Sequence, residues 1–202
     1  MNAHPDQQAG LDLAFLDDWL ERRLEEKLRE REAARIPRMA IIASKGTLDM
    51  AYPPFILAST AAALGWQAEI FFTFYGLNLL KKDLNLEISP LGNPAMPMKL
   101  PVGPAWLRKQ DFKIPNLVMA GVPGFEKMAT ALMKETLSQK GVASIAELRA
   151  LCLEADVGFA ACQMTVDLFG WSRDDFIPEV SEWLGAVSFL PQAQKADVCL
   201  YI

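Results

Sequence analysis

The chain has 202 residues, 51% of them hydrophobic, and a formal charge of −5, which leaves room for one ordinary domain with additions rather than two full ones. The acidic balance, with no basic cluster, argues against a nucleic-acid surface, and three cysteines do not make a disulfide framework. His4 is the only histidine. This removes Ser-His-Asp and Cys-His sites, zincin motifs and histidine-rich metal sites, so no metal is expected.

Residues 1–10 are polar and give no signal peptide. The most apolar long window, 114–133, is broken by Pro115, Pro123, Glu126 and Lys127, so no membrane span is expected and the chain reads as soluble and cytoplasmic. Residues 11–35 predict a charged helix with Leu13, Leu16, Leu20, Leu24 and Leu28 in one stripe, Phe15 and Trp19 beside it, and Pro37 ending it. Such a stripe must dock on something, either its own domain or another subunit. Residues 1–36 are therefore set apart from a domain over 37–202.

Residues 38–44 read as a buried strand, 44–49 as the loop after it, 52–64 as an Ala-rich helix after Pro53 and Pro54, and 68–74 as a second strand. Together they form a right-handed βαβ unit. A short helix starts at Tyr75. Residues 85–123 hold Pro90, Pro94, Pro97, Pro101, Pro104 and Pro115, with Met96 and Met98, and no regular element absorbs that many prolines. This is read as an insertion whose methionines either fill gaps in the core or form an adaptable contact surface. A helix over 123–140 follows. Ser144 with Glu147 makes a capping box for a helix to about Ala155 that turns Ile145, Leu148 and Cys152 inward. Residues 180–183 suggest a short strand, 185–196 a helix and 197–202 a last strand, in which Cys199 is structural.

Residues 157–170 carry the chemistry. Their first half suits a buried strand, and their second half a short helix closed by Gly170. Cys162 falls at the handover, where free N–H groups and the positive helix end favour an anion and so a thiolate. The other reading, a small buried hydrophobe, is equally open at this point. Alternating strands and helices predict an α/β fold, a parallel sheet of about five strands with helices on both faces and ligands at the carboxyl edge. If the first strand and the Cys162 strand are neighbours, Lys45 or the hydroxyl of Thr47 can reach the sulfur, with Gln163 beside it; Lys45 is otherwise a solvated surface lysine. No P-loop and no G-x-G-x-x-G is present, so a flavin or dinucleotide enzyme is disfavoured and no cofactor is expected.

With these residues in place, the chain resembles the DsrE/DsrF-like family of sulfur-trafficking proteins. The likeness rests on Ala161-Cys162-Gln163-Met164-Thr165 running on to Asp167 and Gly170, on Ser44-Lys45-Gly46-Thr47-Leu48-Asp49, and on Gly92-Asn93-Pro94-Ala95-Met96-Pro97. It covers about residues 38–202 and is nearest the branch without a membrane segment. It implies a flavodoxin-like fold, homo-oligomers, and a cysteine, here Cys162, that carries sulfane sulfur as a persulfide for small sulfur-carrier proteins. Some relatives have a second upstream cysteine, for which Cys152 is the candidate counterpart. Phe159, Met164 and Phe169 would shelter the persulfide. The competing reading is a non-catalytic oligomeric binding or scaffold protein of the same fold, whose Cys162 would alkylate no faster than an ordinary thiol.

Overall fold

The structure, a computed structural model, describes residues 13–89, 103–109, 121 and 123–202. The tail with His4 and most of the expected insertion, including Met96 and Met98, lie outside the described residues. The chain divides into two compact units, Met1–Ile36 and Pro37–Ile202. The first contains α1 (Leu13–Ala33). Its charges pair along the helix, Arg22 with Asp18, Arg23 with Glu26 and Lys27 with Glu30. Exposed pairs of this kind add roughly a few tenths of a kcal/mol each.

In the second unit the apolar runs form five parallel strands: β1 (Arg38–Ala43), β2 (Gln67–Phe72), β3 (Gly158–Cys162), β4 (Glu182–Leu184) and β5 (Val198–Tyr201). Their spatial order is β4-β3-β2-β1-β5. Parallel neighbours need crossovers. They are α2 (Leu48–Ala63) between β1 and β2; α3 (Ala105–Arg108), α4 (Phe125–Gln139) and α5 (Ile145–Glu154) between β2 and β3; α6 (Gln163–Leu168) between β3 and β4; and α7 (Ala186–Ala193) between β4 and β5. The arrangement is α/β and flavodoxin-like, and the Ser144–Glu147 capping box opens α5.

The order of the strands decides which face each helix covers. From β1 to β4 the sheet grows one strand at a time in one direction, and right-handed crossovers keep those helices on one face. The step from β4 to β5 reverses direction, so the same handedness puts α7 on the other face. The packing follows this division. Ile41, Phe55, Ile70, Phe72, Cys152 and Phe159 belong to the core of the first face. Ala40, Phe71, Ala160, Cys162 and Phe189 belong to the second, where the rings of Phe71 and Phe189 stack at 4.4 Å.

Two elements differ from expectation. Helix α2 starts at Leu48 and contains Pro53 and Pro54, although each proline removes a helical hydrogen bond. Tertiary contacts hold the added turn: Leu48 N–H donates to Glu87 O at 2.8 Å, Ser89 N–H donates to Asp49 Oδ1 at 3.3 Å, and Leu48, Ala51 and Phe55 are buried. The expected helix from Tyr75 is a 3-10 helix, Phe74–Leu80. Its Gly76 lies so close to β1 that a Cβ there would stand 2.1 Å from Ala43 O, and one on Gly46 would stand 2.1 Å from Tyr75 O. Only glycine permits this interlock of the loops after β1 and β2.

Candidate functional site

Cys162 is the last residue of β3 and the N-cap of α6, and its Cα partner on the next strand is Leu184 of β4. The helices that follow these two strands go to opposite faces: α6 places Val166 in the first-face core and α7 places Phe189 in the second. Adjacent strands whose helices diverge leave a crevice outside their carboxyl ends, the preferred ligand position in such sheets. Cys162 stands at one side of it. At the other, after Leu184, is Gly185, where nothing lies within 4 Å of the place a Cβ would occupy.

Cys162 is buried at this edge, 3% exposed. It packs in the cluster of Phe71, Phe189, Ala160 and the half-buried Leu184. The expected shelter differs. Side chains alternate along a strand, so Phe159, three residues away, lies on the first face. Met164 is 65% exposed, and Phe169 stacks on Tyr75 at 5.9 Å and meets Trp171 at 4.9 Å. The walls around the sulfur thus come from β2, β4 and α7.

The condition for Lys45 and Thr47 to reach the sulfur, neighbouring strands, is not met. Both residues follow β1, and β2 stands between β1 and β3, a separation of roughly 10 Å at ordinary strand spacing. Lys45 is exposed, and Thr47 is the N-cap of α2, its carbonyl accepting from Met50 N and Ala51 N. The hydroxyl level with Cys162 belongs to Thr73, because Phe72 pairs with Ala161. Thr73 Oγ1 lies 3.4 Å from Thr165 Oγ1, which accepts from Phe74 N at 3.4 Å. Phe74 itself has φ +46, a left-handed conformation that costs a non-glycine residue about 1–3 kcal/mol. Sequence reading missed Thr73 because only the register aligns it with the cysteine.

Gln163 is the hub of a network at the head of α6. Its Nε2 donates to Asp167 Oδ1 at 2.7 Å, and its Oε1 accepts from Arg173 at 3.0 Å (Nε) and 2.6 Å (Nη2). The Arg173 guanidinium lies over the Trp183 ring of β4 at 5.0 Å, so the network spans both strands that border the crevice. Nothing in the local sequence pattern announced Arg173.

The other two thiols have different fates. Cys152 is wholly enclosed in the first-face core and donates to Phe55 O at 3.4 Å. Burial pushes its pKa up to about 11. The sheet separates it from Cys162, so a direct exchange between the two needs unfolding. Cys199 is exposed on edge strand β5, opposite Ala40 of the second face.

Two cavities lie elsewhere. One of about 720 Å³ is bordered by α2, α4 and the start of α5. The other, about 560 Å³ at the amino ends of the strands, is lined by Glu69, Glu182 and Gln192 among others. There burial, and then the neighbouring Glu182 charge, raise the Glu69 carboxyl above the usual range. Among the described residues no group of three or more His, Cys, Asp or Glu could hold a metal ion, and no helix is long and apolar enough to cross a membrane.

Comparison with known proteins bears on the same domain. A family model described as DsrE/DsrF/DrsH-like matches residues 35–201. The chain is 57% identical over 165 residues to the sulfur carrier protein DsrE2 of Allochromatium vinosum, a match that takes in 82% of this chain and 98% of that protein. It is 26% identical over 169 residues to the uncharacterized protein YrkE of Bacillus subtilis, covering 82% of this chain and 96% of the other.

Proposed function

We infer that this chain, which belongs to the DsrE/DsrF/DrsH-like family, is a sulfur-trafficking protein that carries sulfane sulfur as a persulfide on Cys162. One observation carries the reading: the cysteine of the motif stands at the carboxyl end of β3 and at the start of α6. The 57% identical relative, a sulfur carrier protein, supports the cargo.

The Cys162 thiolate attacks the outer sulfur of a donor persulfide. A new S–S bond forms at Cys162, the donor S–S bond breaks, and the donor leaves as a thiolate. An acceptor thiolate then attacks the outer sulfur on Cys162, forms its own persulfide and returns Cys162 as a thiolate. Each exchange conserves electrons, so neither needs a redox co-reactant. Phe71, Phe189 and Leu184 keep bulk water and oxidants from the loaded sulfur. Access runs past Gly185, at the first turn of α7. Met164 on α6 and Val187 on α7, 65% and 87% exposed, offer apolar footing for a small sulfur-carrier protein on both sides of the crevice. Gln163, fixed by Asp167 and Arg173, sets the direction of the first turn of α6. Three free thiols suit a reducing cytoplasm.

The test is intact-mass spectrometry after polysulfide treatment and removal of excess reagent. Wild type and Cys199→Ser gain sulfur, and Cys162→Ser does not. Equal loading of Cys162→Ser, or loss of loading in Cys199→Ser, refutes the assignment.

A further inference from the structure

We propose that α1 pairs with the same helix of a second copy of this chain, parallel and in register, through its leucine stripe. Successive helical residues turn by about 100°, so Leu16, Leu20, Leu24 and Leu28 occupy a sector of about 120°. Leu20, Leu24 and Leu28 are each more than half exposed, as are Phe15 and Trp19. Among the described residues of the unit Met1–Ile36, α1 is the one helix or strand. For a helix of 21 residues, as for most helices in proteins, stability comes chiefly from packing of its apolar face.

The charges select the partner and its direction. On one edge of the stripe the 100° rotation places Asp17, Glu21 and Glu25, and on the opposite edge Arg23 and Lys27 followed by Glu30. A two-fold axis parallel to the helices lays each edge against the opposite edge of the partner, so acid meets base on both sides. An antiparallel pair lays each edge against its own copy, and the acidic residues then repel. Across Leu13–Ala33 seven acidic residues outnumber five basic ones, the wrong balance for an anionic membrane surface.

Both core clusters of the α/β domain are built from residues of Pro37–Ile202. The family match begins at residue 35, and nearly the whole of the sulfur carrier DsrE2 lies within its match to this chain. The helix is an addition, and its pairing holds two copies of the domain in one assembly. This does not depend on the sulfur reading.

The experiment is oxidative crosslinking of the full chain carrying Cys199→Ser and Leu20→Cys, beside its Cys199→Ser parent. The expected result is a disulfide-linked pair of chains, absent from the parent and reduced at least about tenfold when Leu24→Glu is added, the step that removes the central leucine. No link at position 20, or a link indifferent to Leu24→Glu, overturns the proposal. If Leu24→Glu lowers the unfolding midpoint of the α/β domain while no inter-chain link forms, the helix packs within its own chain and the proposal falls.

Discussion

The two faces of the sheet treat the same side chain in opposite ways. On the first face α2 and α5 enclose Cys152 with Phe55, Phe72 and Phe159, and the thiol keeps its proton because burial holds its pKa near 11. On the second face, among the described helices, α7 alone contributes to the core, and Cys162 packs in a much smaller cluster beside an open glycine. Farther along that face Cys199 is exposed on the edge strand. A cysteine becomes inert or usable here according to what covers its side of the sheet. The first face is built for stability and the second leaves a sulfur within reach of movement in one short helix.

That contrast can be broken by substitution. Phe55→Ala empties the centre of the first face and should lower the stability read from urea unfolding by about 3–5 kcal/mol. It should leave the alkylation rate of folded Cys162 unchanged. Phe189→Ala, on the second face, should raise that rate by roughly tenfold as the wall over the sulfur is removed; equal effects of the two variants would erase the distinction.

Thiol labelling sharpens it further. At pH 8 Cys199 should react with iodoacetamide at least about a hundredfold faster than Cys152, since a thiol pushed from 9.0 to about 11 is almost never a thiolate there. The same shift has a consequence for stability. The folded pKa is raised, so the contribution is complete below pH 9 and is lost as the pH climbs toward 11. Urea midpoints should fall across that alkaline range, and Cys152→Ala should flatten the fall.

Smaller effects test the edges. Glu69 is also raised in the folded state, by burial first and Glu182 second. Its charge therefore opposes folding at neutral pH, and the penalty disappears below the ordinary carboxylate value of 4.5. Glu69→Gln should stabilise the protein at pH 7 by about a few tenths of a kcal/mol, given its partial exposure, and the gain should vanish near pH 4. Arg173→Ala, which frees Gln163, should cost less than about 1 kcal/mol by urea unfolding and slow sulfur loading more visibly than it affects stability.

Much of this molecule could be read along the chain. The capping box at Ser144 and Glu147, the stop at Gly170 and the short apolar runs are local signals, and they marked α5, the end of α6 and the five strands. The start of α2 was not legible, because Pro53 and Pro54 argue locally for a later start while contacts from Glu87 and Ser89 support an earlier one. The surroundings of Cys162 were hidden for a related reason. Phe71, Thr73 and Leu184 are far away in sequence and reach the cysteine only through strand order and register.

The sequence by itself determined the elements, the handover from strand to helix at Cys162 and the family likeness, because turns, caps and period-two runs act within a few residues. Tertiary structure alone decided that β2 intervenes between Lys45 and the sulfur, that Cys152 and Cys162 lie on opposite faces, and that the helices after β3 and β4 pack on different faces. Those outcomes depend on the order in which strands join the sheet and on the right-handedness of each crossover, which no local sequence pattern encodes.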